Sequence, residues 1–476
     1  MQTRDRQISL ADTLKVRRQR LAEKVNFPVV LWSGQRSSRN FPANKFPFRA
    51  SSHFLYFAGL PLEDAVIRLE AGKLQLFVDE ADPANALWHG ESPKRDEIAE
   101  LIGADAAFPR SEIEASGWQQ DENGSPVKLS QWAIDAATVR VQNGTTIAEQ
   151  YTTFQRSIFD IERSAGIDLE LAKAIVSLRL SHDEAALIEL RKATAVSVEA
   201  HKAGMAATRR ATAEAQVRAA IEQVMIAHNM TCAYASIVTV HGEVLHNEQY
   251  HHPIQSGDLL LVDAGAETEL GWAADITRTW AVSGKFSPTQ RAIYNVVLAA
   301  HDACIAAIRP GVEYRDIHLL AARTIAEGLV DLGILRGQPE DLVAMDAHAL
   351  FFPHGVGHLL GLDVHDMEDL GDLAGYAEGR VRSDRFGLNY LRLDRPLQPG
   401  MLVTIEPGFY QVPAILNDPA RRTRYHNVVD WDRLTQFADV RGIRIEDDVL
   451  VTATGAEVLT AALPTKAEEI EQLVQG

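Results

Sequence analysis

The chain has 476 residues, 46% of them hydrophobic and 24% charged, with a formal net charge of −18. That length allows one to three domains and a core large enough to need no disulfide staples. The acidic balance excludes a broad nucleic-acid-binding surface and docking on anionic membranes, because both need clustered Lys and Arg.

In chain order, Met1–Lys15 is polar and mixed in charge, without the apolar stretch of a secretory signal. A basic helix is expected around Leu14–Lys24, then a buried strand over Phe27–Trp32. His53–Leu60 reads as another strand. Val66–Glu70 and Lys73–Val78 flank Ala71-Gly72 as a hairpin. Trp88-His89-Gly90-Glu91 reads as a loop, and Asp121–Gly124 and Asn143-Gly144 as turns. The region to about residue 165 is therefore mixed α/β, and nothing in it clusters into a catalytic set.

Ser181-His182-Asp183-Glu184 has the form of a capping box and opens a helical stretch running to about His228. The domain boundary is placed just before it, giving domains of 1–170 and 175–476. A second helical stretch covers Ser287 to about Leu332, broken near Pro310-Gly311. Strand-rich sequence follows each, which hints at two similar halves. Cys232 and Cys304 form neither a disulfide framework nor a Cys-rich zinc pattern, and read as free thiols. No window reaches the length of a membrane span, so the cytoplasm is the expected location.

Leu259–Glu267 and Ala274–Val282 read as two strands joined by a short turn. A turn centred on Glu269 sets Asp263 opposite Asp275 on one face. Two carboxylates on a buried face repel each other unless a proton or cation sits between them. A pair of solvated aspartates explains this hairpin alone equally well. Phe352–Asp366 holds His354, His358 and His365 among Gly355, Gly357 and Gly361. The glycines oppose a stable helix and suggest backbone packed tightly beneath a site. Glu406 ends an apolar run and precedes Pro407-Gly408. Gly442–Val451 alternates as one strand, with Arg444, Glu446 and Asp448 on one face. Taken singly, Glu406 and the 442–451 face also suit solvent exposure. Together, Asp263, Asp275, His358, Glu406 and Glu446 form a hard, oxygen-rich set too negative for one cation and suited to two. Mn²⁺ is the expected ion, with Co²⁺ or Zn²⁺ as alternatives.

These motifs, VDAGAE with ADITRT, HGVGHLLGLDVHD, TIEPGFY and GIRIEDDV, resemble those of the pita-bread metallopeptidases. The resemblance covers roughly residues 175–460, and FPFRASSHFLYFAGL resembles the accessory domain of aminopeptidase P and prolidase. It implies an α/β (α+β) architecture: a C-terminal pita-bread domain and an N-terminal mixed α/β accessory domain. It also implies hydrolysis of the Xaa-Pro bond at the N-terminus of short peptides by a dinuclear centre with a bridging hydroxide. By the same resemblance Asp263 chelates one metal, Asp275 and Glu446 bridge, and His358 and Glu406 bind the second. Glu406 matches the proton shuttle, and His246, His354 and His365 match pocket histidines, His365 near the scissile carbonyl. Arg444 matches a supporting arginine. Relatives form dimers or tetramers, so a homo-oligomer is expected.

The segment between Asp366 and Pro399 is longer than in compact aminopeptidases P and more like eukaryotic-type prolidase. Arg392 falls where such prolidases grip a dipeptide's C-terminal carboxylate, although Arg385 and Arg395 are close by. Xaa-Pro aminopeptidase is the expected activity and Xaa-Pro dipeptidase the alternative. Two other classes share the fold: non-catalytic peptide- or histone-binding modules, and creatinase-like hydrolases that act without metal. Both lack the five ligands present here.

Overall fold

Residues 9–120, 126–129, 133, 136–139 and 166–476 are described in the computed structural model. The turns expected at Asp121–Gly124 and Asn143-Gly144 lie outside them. The chain divides into Met1–Leu180 with Asp369–Ala374, and Ser181–Glu368 with Gly375–Gly476. The break falls just past the interval placed between residues 170 and 175.

The first of these builds on helix α1 (Leu10–Ala22), strand β1 (Val29–Trp32) and helix α2 (Ser52–Ala58). It continues with β2 (Val66–Glu70), β3 (Lys73–Phe77), α3 (Arg95–Ile102), β4 (Ala106–Phe108) and α4 (Ile167–Arg179). The strands lie side by side in chain order, antiparallel except for the parallel β3–β4 pair. Val30, Trp32, Val66, Phe77 and Ile113 form a core on this sheet. The β2–β3 hairpin turns at Ala71-Gly72, both with positive φ, as a two-residue hairpin loop requires. Two buried arginines of α1 close helix ends: Arg17 donates to Tyr56 O at 3.0 Å, and Arg18 to Gly103 O at 2.8 Å. Cations at helix C-termini offset the partial negative charge of the last carbonyls.

His53–Leu60 is helical rather than a strand, spanning Ser52–Ala58. Its residues are buried without the alternation of a half-exposed strand. Gly59 ends it with φ of 72°, a left-handed closure that serves a helix and not a strand. Trp88-His89 belongs to one exposed helical turn, Ala86–His89, closed by Gly90.

The second part opens with α5 (Glu184–Thr208), α6 (Glu214–Ala227), β5 (Ile237–Thr239), β6 (Leu259–Asp263) and β7 (Thr277–Ala281). After α7 (Pro288–Ala307) and α8 (Tyr314–Asp331) come β8 (Leu402–Ile405), β9 (Gly408–Tyr410), β10 (Gly442–Arg444), β11 (Asp447–Val451), β12 (Ala456–Val458) and α9 (Ala467–Gln475). A helix pair followed by strands thus occurs twice. β5–β6–β7 form one sheet, β8–β11–β12 another, and β9–β10 a two-stranded ladder. The cap of α5 is Asp183, whose carboxylate accepts from Ala186 N at 2.9 Å. It lies two residues past the expected Ser181, whose hydroxyl instead donates to Pro399 O at 2.9 Å. The stretch expected to run unbroken to His228 is two helices, interrupted after Thr208. Among the described residues, no helix is long and apolar enough to cross a membrane.

Candidate metal centre

Every residue of β6 and β7 is buried, which leaves the carboxylate that ends β6 inside the fold. Asp263 lies opposite Thr277, so the connecting turn centres on Leu270 rather than Glu269. The expected pairing of Asp263 with Asp275 is thereby displaced by two residues. A two-residue shift preserves the side-chain alternation, so both aspartates still point to one face. Thr277 in turn bridges to Glu446. Ile405 pairs with Asp447 and Gly408 with Arg444, a common register that sets Glu406 opposite Glu446. Asp263, Thr277, Glu446 and Glu406 therefore lie on one rung across four segments. Both glutamates stand where the ladder is interrupted. On one side Pro407 has no N–H to offer. On the other, the chain leaves β9 as its partner and joins β8. The single strand expected over Gly442–Val451 is thus two strands, and its charged face is buried rather than an exposed edge.

The side chains on this rung leave negative charge without enough partners. Asp263, Asp275 and Glu446 are buried. Asp275, His358 and Glu446 offer donor atoms that all lie within 4.8 Å of one another. Carboxylates at that separation repel by roughly 3 kcal/mol at an effective dielectric of about 20. Arg444 answers part of this charge. It donates to Asp263 Oδ2 at 2.6 Å, Thr277 Oγ1 at 3.0 Å and Tyr410 Oη at 3.0 Å. Thr277 Oγ1 donates to Glu446 Oε2 at 2.6 Å. The Tyr234 hydroxyl sits 2.5 Å from both Asp263 Oδ1 and Asp275 Oδ1. One hydroxyl has one proton to give, so the second short contact calls for a proton or cation on the aspartates. Burial, and then the neighbouring carboxylates, push Asp275, Glu406 and Glu446 well above the usual carboxylate range. A hard-donor, anionic cup of this kind fits divalent cations.

The histidine loop closes the cup without forming a helix. Its glycines are there for clearance: a Cβ on Gly357 would stand 2.1 Å from Thr404 O. His358 Nδ1 faces Leu359 O at 3.0 Å, so Nε2 is the free lone pair. That nitrogen points at Asp275 Oδ2 at 3.3 Å and Glu406 Oε1 at 3.9 Å, acceptors it cannot satisfy while neutral. Burial holds its pKa down at about 4. His354 is occupied otherwise: Nδ1 donates to Gly355 O at 2.7 Å and Nε2 accepts from Tyr410 Oη at 2.9 Å. Burial, then Arg444, lowers it to about 3. The His365 ring lies 4.1 Å from that of His358, and its Nδ1 pairs with Glu368. Partial burial, followed by Arg444, lowers His246, which also feels Asp263, Arg392 and His365. Arg392 pairs with Glu368, whereas Arg385 binds Asp346 at 2.5 Å and Arg395 donates to Tyr376 O at 2.8 Å. Asp263, Asp275, His358, Glu406, Glu446, Arg444 and His354 are thus joined in one cluster, His365 and Arg392 are linked to its edge through Glu368, and His246 is within electrostatic reach of it.

Sequence reasoning missed several residues. Tyr234 and Thr277 carry no signal in the chain. Asp448 accepts from Asp275 N at 3.3 Å, and so fixes that backbone. Arg278 was legible in principle, since a charge inside an apolar strand demands a partner. It is fully buried, donates to Glu446 O at 2.6 Å and pairs with Asp447 Oδ1 at 2.7 Å.

The chain is similar to known proteins along most of its length. Residues 189–453 match the model of metallopeptidase family M24, and residues 14–119 that of the aminopeptidase P N-terminal domain. A probable Xaa-Pro aminopeptidase of Verticillium alfalfae is 32% identical over 433 residues, 90% of this chain and 88% of that protein. Aminopeptidase PepP of Pseudomonas aeruginosa has a similar structure, with TM-score 0.76 and 30% identity over 98% of each chain. So does zinc-substituted Escherichia coli aminopeptidase P in complex with product, with TM-score 0.76, 29% identity and 98% coverage of each chain.

Proposed function

The chain belongs to metallopeptidase family M24, and on that premise we propose that it is an Xaa-Pro aminopeptidase working through two divalent cations. The observation that carries this reading is the cup itself: donor atoms of Asp275, His358 and Glu446 lie within 4.8 Å of one another, with Asp263 joined to Asp275 through Tyr234 and Glu406 facing His358. Asp263 would hold one cation, His358 and Glu406 the other, with Asp275 and Glu446 shared. Oxygen-rich donors of this kind suit Mn²⁺. Bound there, the cations would activate water and polarise the scissile carbonyl.

The chain's own groups supply the rest. Glu406 is held at the mouth of the cup by its backbone N–H to Val356 O at 2.8 Å. From there its carboxylate would pass a proton to proline's departing imino nitrogen. Arg444 orients Asp263, and Thr277 orients Glu446, so neither ligand must be arranged at the moment of reaction. His246, His354 and His365 would line the side on which the peptide lies. The match to an aminopeptidase P N-terminal domain favours the aminopeptidase over the dipeptidase.

The test is hydrolysis by Mn²⁺-loaded protein of Xaa-Pro-Yaa beside the same peptide with alanine second. Release of the N-terminal residue only from the proline peptide is expected. Equal cleavage of both, or of neither, contradicts the reading.

A further inference from the structure

Arg392 sits on the extended segment between Asp366 and Pro399, whose backbone is seated against the histidine loop. A Cβ on Gly355 would stand 3.1 Å from both Leu391 Cα and Tyr390 O. The charge of the Arg392 guanidinium is felt by Glu406, His358 and His246. It is already engaged: Nη1 pairs with Glu368 Oε1, while Oε2 of the same carboxylate accepts from His365 Nδ1. Glu368 thus spans the arginine and a histidine whose ring lies against His358. The pair is open to solvent, Arg392 at 37% and Glu368 at 45% side-chain exposure, and so is open to a ligand.

We infer that Glu368 is a specificity-determining residue that sets peptide length, by occupying the arginine fork that a dipeptide's free C-terminal carboxylate would otherwise bind. This rests on the activity proposed above. In an Xaa-Pro dipeptide the C-terminal carboxylate lies on the residue just past the scissile bond. In a longer peptide that position is an uncharged amide. A free carboxylate must either displace Glu368 from Arg392 or share the fork with it, and two like charges at hydrogen-bond range repel. The amide of a longer peptide meets neither cost. The site as built therefore discriminates against the dipeptide acid while keeping the arginine that could accept it.

The test compares kcat/KM for Xaa-Pro, its C-terminal amide and Xaa-Pro-Yaa on the Mn²⁺-loaded full chain. Glu368→Gln keeps shape and removes charge. It should raise the acid-to-amide ratio on the order of ten-fold, the scale of one charge-assisted hydrogen bond. Any effect passed through His365 strikes acid and amide alike and cancels in that ratio. Arg392→Ala added to Glu368→Gln should return the ratio to its starting value. An unchanged ratio in Glu368→Gln, with all three substrates still turned over, overturns the inference alone. Absence of turnover of every substrate by the unmodified chain overturns the proposed activity, and the inference with it.

Discussion

At the scale of single residues, the centre is a problem of uncompensated charge. Asp275 is buried beside Asp263 and shares with it one tyrosine hydroxyl. Asp275→Asn should cut activity by at least about 100-fold, since even groups that only support a metal ligand are worth 10–100-fold. The same substitution removes a repelling carboxylate, so the melting temperature of the metal-free protein should hold or rise. Full activity of Asp275→Asn in excess Mn²⁺ would contradict the assignment. Tyr234→Phe deletes only the shared hydroxyl. Metal affinity, read by calorimetric titration, should fall about 10- to 100-fold with little change in secondary structure. An unchanged affinity would show that the aspartates are oriented by other groups.

At the scale of elements, the proposed ligands are placed by strand register, and the supports are buried polar groups between strands. Arg278 ties the carbonyl of Glu446 to the carboxylate of Asp447, which also meets His301 Nε2 at 2.9 Å and the Thr460 hydroxyl. Arg278→Met strips Asp447 of its main cation. A loss on the order of 3–5 kcal/mol is expected in denaturant unfolding, the usual cost of breaking a buried pair from one side. A loss below about 1 kcal/mol would mean that Asp447 finds other partners. The proposed ligands were legible because each sits in a short motif with its own turn or glycine chemistry. Register was less legible: the turn centre moved by one residue, from Glu269 to Leu270, because polar turn residues do not fix it alone. The break between β10 and β11 was invisible, since GIRIEDDVLV alternates through a point where only tertiary partners change. His53–Leu60 misled for a related reason, as aromatic residues favour strands but full burial with a left-handed Gly59 favours a helix. Tyr234 was out of reach, because nothing local announces a contact 29 and 41 residues away.

For the whole molecule, the centre ties stability to metal and pH. Asp275, Glu406 and Glu446 have folded-state pKa values above those of an unfolded chain. These three groups bind more protons in the metal-free fold than in the unfolded chain, so their own contribution to stability is full at low pH and is lost as pH climbs through the raised values. Cation binding needs the same groups deprotonated and so strengthens as pH rises. The gap in melting temperature between metal-loaded and chelated protein should therefore widen from about pH 5 to about pH 8. A gap that stays constant or narrows would contradict the linkage.

The most direct measurement is the metal content of the purified chain after Mn²⁺ loading and removal of free ion, taken alongside Asp263→Asn and Glu446→Gln. The account predicts about two cations per unmodified chain, the metal pair that carboxylate-rich hydrolytic centres use, with loss of at least one in each variant. A chain that hydrolyses Xaa-Pro peptides with no bound cation, or that keeps both cations when Glu446 is neutralised, would contradict it.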